Sequence, residues 1–506
     1  MTDTPTSANV NDSNDNNDHG DDDNEAVPAF SNDRRGTISS ARFNLLSTMV
    51  GGGSLSLPLA FQKSGNLLLA PILLITIALL SDFCFRVLIA CAPPPPPSGV
   101  AARGSSSYES IVATALGPRG NALSTVIVLL MCFFAVVAYS VLLRDMLEPI
   151  SDAIFPSSSR LYRNVSMLVV VLFVTPLCSL KTITSLEKFG AAGMLAIFTV
   201  GCCVVFRSGQ CVMKDAGNFD ASLSLFPDSP WDILDALPIF ISCFVCHYNI
   251  PLAHNDLQDP TPQRVSWWLR STTWGAALFY WMLGLAGSMY GVCTPTGHVQ
   301  GNILLDFGEH DPLLFVGRLC LAFTVSMAFP MLVIPARDIA WRNAVHYGLI
   351  GRNGRSTAPT GPSGTDLEEP LLGDNHDQDN AAMTVATDDN IPPVELLSTV
   401  PPGGDAAPLS EPSWSQRGLL AAVVFWSGAG LACCVASIEV VWDLLGSSLS
   451  ILLSYLIPSA VFLVLMDHAT TWKERGSRIL CWFMLLAFTP IMLFSTGYAV
   501  YNTFTR

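Results

Sequence analysis

Apolar runs of about 20 residues recur along the chain between polar stretches, and each run is long enough for a membrane-spanning helix. Half of the residues are hydrophobic and only 13% are charged, about half the usual share in globular proteins. The pattern predicts an all-α membrane protein with eleven transmembrane helices. We number the runs as spans in chain order and predict them at about 43–65, 67–90, 121–143, 165–180, 186–205, 233–251, 267–290, 313–336, 417–437, 444–466 and 477–498.

The first span is interrupted in its middle by Gly51, Gly52 and Gly53, and then by Pro58. Each glycine lowers helix propensity by about 1 kcal/mol relative to alanine, and proline lacks the N–H that a helix interior needs. In many transporters a broken helix of this kind binds the substrate near the bilayer midplane, because its free amides and carbonyls face charged groups. The alternative is a glycine-rich packing surface, but three adjacent glycines do not form the i, i+4 stripe that close packing favours.

The sixth span contains a second interruption, where polar His247 and Asn249 precede Pro251. If spans one to five and six to ten form two halves, each interruption falls on the opening helix of a half, which indicates a transporter site. His247 is a candidate for a ligand contact or a proton-linked switch; the alternative is a structural histidine that hydrogen-bonds across helices. The predicted substrate-binding residues are Gly51, Gly52, Gly53, Ser54, Cys246, His247 and Asn249.

Two hydroxyls of the eighth span, Thr324 and Ser326, are candidates for a cation site, because sodium prefers hard oxygen donors. Asn44 and Ser47 of the first span, with carbonyls freed at its break, would complete this site. The alternative is that each hydroxyl bonds back to a carbonyl of its own helix and binds nothing.

The net charge of −15 is concentrated in two polar segments. Residues 1–33 hold nine acidic residues and no Lys or Arg, and residues 343–416 hold eleven more acidic residues. Such segments lack the apolar surface needed to fold. We therefore expect a disordered acidic cytosolic tail at 1–40, spans one to eight at 41–342, a disordered acidic cytosolic loop at 343–416, and spans nine to eleven at 417–506. This distribution of charge excludes a nucleic-acid-binding protein.

The distribution of basic residues predicts the orientation in the membrane. With the N-terminus in the cytosol, 18 of the 26 Lys and Arg residues lie on or near the cytosolic side, which agrees with the positive-inside rule. Cys211 and Cys293 then lie in two non-cytosolic loops, where an oxidising compartment could join them; two unpaired thiols are the alternative. Tyr139 and Asp145, near the end of the third span, are candidates for lining the outer path.

Enzyme motifs are missing from the sequence: it contains no nucleophile motif, Walker loop, dinucleotide fingerprint or paired carboxylates. No Cys/His spacing resembles a zinc site. We therefore expect neither an enzyme nor a resident metal or cofactor.

Four segments carry a family resemblance: FNLLSTMVGGGSLSLPLAFQKSG, PLCSLKTITSLEKFG, FVCHYNIPLAHNDLQDP and PMLVIPAR. Together they resemble the amino acid/auxin permease family, in its branch of neutral and vacuolar amino acid transporters. The resemblance implies a LeuT-type fold of 5+5 inverted repeats plus one extra helix. It also implies alternating-access transport of amino acids, driven by H⁺ or Na⁺.

The resemblance further implies that the backbone from Gly51 to Ser54 holds the carboxylate and amine of the amino acid. Ser47 stands where sodium-coupled relatives carry an asparagine, which favours proton coupling. The segment EEPLLGD in the long loop resembles an acidic dileucine sorting signal with its spacing changed by one residue. It favours a vacuolar or lysosomal membrane, with the plasma membrane as the alternative.

We therefore predict a multi-pass transporter that moves neutral amino acids by symport with a cation. Its expected partners are the amino acid substrate and the lipid bilayer. The alternative is a membrane amino-acid sensor that signals through the cytosolic N-terminal tail.

Overall fold

A computed structural model describes residues 36–92, 107–154, 160–180, 187–214, 223–308, 311–346, 412–467 and 472–505. The acidic tail, most of the acidic loop and the EEPLLGD segment lie outside these residues. The described helices are α1 (Ile38–Met49), α2 (Leu57–Ser64), α3 (Leu69–Ala90), α4 (Tyr108–Ile154), α5 (Arg160–Cys178), α6 (Glu187–Lys214), α7 (Pro230–Cys243), α8 (Ile250–Asp256), α9 (Pro262–Met289), α10 (Pro312–His346), α11 (Trp414–Cys434), α12 (Ile438–Leu445), α13 (Ile457–Leu465) and α14 (Trp472–Thr505).

The helical architecture confirms the predicted all-α membrane class. Among the described residues, ten spans are long and apolar enough to cross a membrane, counting α7 with α8 and α12 with α13 as one span each. The predicted first span is divided into α1 and α2, with 12 and 8 residues, and each is too short to cross alone. The total of eleven therefore stays a prediction.

Several helices extend beyond the predicted apolar runs. The fifth span continues to Lys214, through a segment that the sequence predicts as loop, and the third begins at Tyr108 instead of near residue 121. Within α4 the backbone breaks at Gly117, whose φ of 68° is readily accessible to glycine, and Pro118 follows. Hydropathy detects the part of a helix that crosses lipid and misses polar turns that continue outside it.

The opening helices of the two halves are joined at one end of the bundle. The Gly36 amide donates to the Asp256 carbonyl at 2.8 Å, and the Gln258 amide donates to the Gly36 carbonyl at 2.9 Å. These bonds tie the start of α1 to the end of α8. Spans one and six therefore run in opposite directions, as an inverted repeat requires.

The other end of the bundle carries a disulfide between Cys211 and Cys293, with the Cα atoms 6.2 Å apart. We call it the disulfide end and its opposite the N-terminal end. Nearby, Arg207 of α6 pairs with Asp311 at 2.6 Å, and Asp311 also accepts the Leu313 amide at 3.0 Å, at the start of α10. Burial raises the pKa of the Asp311 carboxyl, but the hydrogen bonds from Arg207 and from backbone amides outweigh it and leave the pKa below its usual value.

The third span lies at the centre of the bundle, whereas the fourth, ninth and eleventh are peripheral. Val136 and Leu142 of α4 are fully buried, while Phe173 of α5 and Leu486 of α14 are more than two-thirds exposed. An exposed apolar surface of this kind is what a helix presents to lipid.

Candidate functional site

The first span is broken between α1 and α2. Gly51 has an extended backbone with φ of −120°, and a 3₁₀ turn from Gly52 to Ser56 leads into α2, whose first turn contains Pro58. Proline is well accommodated there, since the first helical amides have no partner within the helix. The predicted break is therefore present, and its position follows from local residue preferences.

Hydrogen bonds within the break hold its shape. The Ser54 amide and hydroxyl both donate to the Gly51 carbonyl, at 3.1 and 2.7 Å, and the Gly51 amide donates to the Met49 carbonyl at 2.9 Å. The Ser54 side chain thus caps the turn. It is buried and does not line the cavity described below.

The sixth span is broken in the same manner. Helix α7 ends at Cys243, a 3₁₀ turn covers His247 to Asn249, and α8 follows with Pro251 in its first turn. The carbonyl of Cys243 is freed by the break and accepts the Tyr280 hydroxyl of the seventh span at 2.8 Å. The hydrogen bond that this carbonyl loses at the break is therefore replaced by one from a neighbouring span.

The two breaks meet at a small cavity of about 30 Å³. Five spans contribute its walls: the first, third, sixth, eighth and tenth. This conformation is closed, because the cavity is too small for an amino acid. The lining residues are Thr48, Met49, Gly51, Gly53, Met131, Ala135, Tyr139, Ser242, Val245, Tyr248, Leu332 and Trp442.

Only part of the predicted substrate set lies at this cavity. Gly51 and Gly53 line it, and the structure describes Gly52 only as part of the turn. Cys246 and Asn249 do not line it; the Asn249 amide instead donates to the Thr48 hydroxyl at 3.4 Å.

The sequence interpretation missed most of the cavity walls. Tyr248 lies within the quoted segment of the sixth span and Ser242 lies two residues before it, so proximity to the break was their available signal. Thr48 lies three residues before Gly51 and had the same signal, whereas Met131 lies in an apolar run without any local signal and Trp442 falls between the predicted ninth and tenth spans. The indole Nε1 of Trp442 is buried and has no hydrogen-bond partner among the described residues.

His247 occupies a different place from the one predicted for a ligand contact. It is fully buried but absent from the cavity lining, and its ring packs against Phe85 at 4.5 Å and Tyr455 at 6.1 Å between centroids. Neither ring nitrogen has a hydrogen-bond partner in the part of the chain that the structure describes. The side chain therefore faces the second and tenth spans.

The hydroxyls proposed for a cation site do not converge. Thr324 donates to the Cys320 carbonyl of its own helix at 2.9 Å and approaches the Gly193 carbonyl of α6 at 3.3 Å, so it faces the fifth span. Ser326 donates to the Ala322 carbonyl at 2.6 Å.

On the first span, Ser47 donates to the Asn44 carbonyl at 2.9 Å, and the Asn44 side chain is exposed. Opposite Ser47 the eighth span presents the Met331 thioether, at 3.9 Å from the hydroxyl. The Ser47 hydroxyl thus has a soft sulfur beside it, whereas sodium prefers oxygen donors.

Tyr139 lies between the cavity and the disulfide end. Its ring packs edge-on against Phe329 and Trp442, at 6.3 and 6.5 Å between centroids. A Cβ atom at Gly51 would overlap the Tyr139 hydroxyl and lie 2.9 Å from its Cζ atom. Only glycine therefore fits beside this tyrosine while the cavity is closed.

Beyond Tyr139 a second, charged cavity of about 500 Å³ lies at the disulfide end; we call it the vestibule. Tyr139 and Asp145 are six residues apart on α4, which is a rise of about 9 Å, so the two cavities are stacked along one helix. The vestibule is lined by Arg144, Asp145, Glu148, Pro149, Arg160, Arg163, Gln300, Leu305, Arg318, Ala436 and Ser437.

A buried arginine in each half caps a helix of the other half. Arg144 on the third span donates to the carbonyls of Ala432, Val435 and Ala436 at 3.0–3.2 Å, at the end of α11. Arg337 on the eighth span donates to the carbonyls of Cys178 and Leu180 at 3.1 and 3.0 Å, at the end of α5.

Each arginine is followed by an aspartate that pairs with it, Asp145 at 3.6 Å and Asp338 at 2.8 Å. The two Arg-Asp pairs occupy equivalent places on the third and eighth spans, at opposite ends of the bundle. Their arrangement is that of an inverted repeat.

Comparison with known proteins decides the family. The model of the family described as "Transmembrane amino acid transporter protein" matches residues 34–505. The chain belongs to this family. The resemblance drawn from the four sequence segments is thereby confirmed.

Individual relatives are distant. The "Putative sodium-coupled neutral amino acid transporter 11" of Danio rerio is 25% identical over 62% of this chain and 66% of its own length. The "Amino acid transporter AVT6E" of Arabidopsis thaliana is 28% identical over 60% of this chain and 62% of its own. The chain thus spans less than two thirds of the length of these relatives. The "Vacuolar amino acid transporter 2" of Saccharomyces cerevisiae is 20% identical over 89% of this chain and 81% of its own.

The fold has a solved counterpart. The crystal structure of MhsT in complex with L-phenylalanine superposes with a TM-score of 0.55 at 9% identity, covering 90% of this chain and 98% of that one. This likeness establishes the LeuT-type fold, as the sequence resemblance implied.

Proposed function

We propose that the protein is a secondary active transporter of neutral amino acids, which bind where the breaks of the first and sixth spans meet. The observation that carries this proposal is the closed cavity between Gly51, Gly53, Val245 and Tyr248. Backbone groups released at two helix breaks supply partners for a carboxylate and an ammonium without a buried charge on the protein.

The cavity walls support a neutral substrate. None of the described residues that line it is charged, and Met49, Met131, Ala135 and Leu332 give it a mainly apolar surface. A cationic or anionic side chain would lose its hydration there without a counter-charge. The unpartnered Trp442 Nε1 supplies one donor close to Gly53, whose Cβ position lies 3.9 Å from the indole Cε2.

Two cavities stacked along α4 support alternating access. In the closed state Tyr139 and Trp442 separate the small cavity from the vestibule, so the substrate path would run through the vestibule when these rings part. The basic-residue bias favours assigning the disulfide end to the non-cytosolic side. The relatives named as vacuolar support an intracellular membrane.

The coupling ion is proposed to be a proton. The support is the Met331 thioether opposite Ser47, together with candidate hydroxyls that bond back to their own helices. These contacts match the alternative that the sequence left open, in which the hydroxyls bind no ion.

The test is uptake of a labelled amino-acid panel into proteoliposomes of the full chain, under an imposed proton or sodium gradient. Gly51→Leu places a side chain against Tyr139 and should abolish uptake, whereas Gly430→Leu, with open space around its Cβ, is the matched control. Uptake that survives in Gly51→Leu would refute the site. A wild type that binds an amino acid but transports none under either gradient would favour the sensor alternative.

A further inference from the structure

The strongest unused group in the molecule is the His247 imidazole. It is fully buried, and both of its nitrogens lack a hydrogen-bond partner among the described residues. A neutral imidazole has one donor and one acceptor, and buried polar groups in native proteins are almost always paired. A group left in this state indicates that a small partner, such as water or a proton, binds there in some part of the working cycle.

The surroundings of His247 form a second polar site, apart from the substrate cavity. Tyr455, which packs against the imidazole, exchanges a hydrogen bond with Ser81 of α3 at 3.0 Å. The same part of the tenth span holds the hydroxyls of Ser450 and Ser454, which are buried and have no partner in the described structure. These residues lie in two π-helical turns, Gly446–Ser450 and Leu452–Leu456, a geometry that is frequent at functional sites.

The elements around His247 carry thiols and phenols, which are ordinarily neutral near pH 7, and charged groups, of which Asp82 and Arg86 of α3 pair with each other at 2.8 Å. A histidine differs from all of these because its usual range lies between pH 5 and 8. Helix α8 also carries His254 and Asp256, at its far end from the 3₁₀ turn. The thiols and phenols are Cys84 on α3, Cys132 and Tyr108 on α4, Tyr455 on the tenth span, and the chain neighbours Cys246 and Tyr248.

We propose that His247 carries the coupling proton, at this polar site between the second, sixth and tenth spans. The inference deepens the proposed transport function and rests on it. One 3₁₀ turn holds both His247 and Tyr248, and Tyr248 lines the substrate cavity. A change of the turn on substrate binding therefore moves the imidazole as well.

The proton balance follows from this geometry. Charging a fully buried imidazole that has no hydrogen-bond partner among the described residues is unfavourable, so the closed conformation holds it neutral. When the site hydrates, an imidazole nitrogen accepts a proton from water; when the site dries again toward the other side, the N–H bond breaks and the proton returns to water there. Each cycle moves one proton, and no other reactant is consumed.

The experiment compares wild type, His247→Gln and the control His254→Gln in proteoliposomes with an inward proton gradient. Three signals are recorded: uphill amino-acid accumulation, substrate-induced proton entry reported by an internal pH dye, and counterflow without a gradient. In His247→Gln we expect counterflow to persist while proton entry disappears and accumulation falls at least about fivefold, the lower end of usual coupling between sites. The control should behave as wild type.

Proton entry that persists in His247→Gln would overturn the inference while leaving transport itself intact. A wild type without any flux would instead defeat the proposed function. If His247→Gln loses counterflow, His247→Asn is tested in the same three assays. If both variants lack counterflow, the inference is tested on the wild type alone, by measuring proton uptake on substrate binding. Amino-acid binding to the wild type in detergent must then be accompanied by proton uptake, and binding without proton uptake overturns the inference.

Discussion

Replacing Arg337 by methionine should destabilise the protein markedly, although the residue does not line the cavity. The guanidinium is 1% exposed, donates two hydrogen bonds to the carbonyls that end α5, and pairs with Asp338. Hydrogen bonds to a charged group contribute about 1.5–3 kcal/mol each, which gives about 3–6 kcal/mol for the two carbonyl contacts. The ion pair adds little to this figure, because the Asp338 side chain is 44% exposed.

The assay is thermal unfolding of the detergent-purified protein, followed by tryptophan fluorescence at one scan rate. Arg337→Met should lower the midpoint by on the order of 5 °C or more. Arg342→Met is the matched control, because Arg342 is exposed on the same helix. Arg337→Lys should fall between wild type and Arg337→Met, since lysine keeps the charge but not the planar fork. Equal midpoints for Arg337→Met and Arg342→Met would show that the helix-end contacts contribute nothing.

Three further predictions concern other regions. Cys211→Ser with Cys293→Ser should cost about 2–4 kcal/mol of stability, and reductant should then lower the unfolding midpoint of wild type only. Asp311→Asn should lower the unfolding midpoint at pH 7 by the equivalent of about 1 kcal/mol, because a carboxyl with a depressed pKa stabilises the folded state at pH values above the usual aspartate pKa. The difference from wild type should shrink below about pH 4. The control Asp228→Asn, at an exposed position, should show neither effect. Trp442→Phe should raise the KM for uptake and leave the unfolding midpoint nearly unchanged, while an unaltered KM would exclude the indole donor from substrate binding.

Local sequence signals placed the two helix breaks correctly. Three glycines before Pro58, and polar residues before Pro251, act within one or two turns, so their effect can be read without the fold. The cavity walls could not be read in this way. Tyr139 and Trp442 belong to regular helices some three hundred residues apart, and only tertiary packing brings their rings together.

The direction of His247 was equally hidden from the sequence. Helical periodicity assigns a face to each residue, but a 3₁₀ turn after three non-helical residues resets that periodicity. Ser54 shows a related limit of prediction from sequence. Its hydroxyl can hydrogen-bond to the backbone or to a ligand, and in the folded turn it donates to the Gly51 carbonyl. The hydroxyls of the eighth span followed the ordinary tendency of serine and threonine to bond to their own helix.

The paired Arg-Asp dipeptides give the molecule an internal reference. Arg144 and Arg337 each donate to carbonyls that end a helix of the other half, at opposite ends of the bundle, and Arg144 also lines the charged vestibule. The same substitution at both positions therefore compares two equivalent arginine contacts with a helix end within a single protein, with expression, detergent and lipid held constant. A difference between the two variants then reports on the local contacts of each arginine, three helix-end carbonyls for Arg144 and two for Arg337, and whatever is shared reports on the fold.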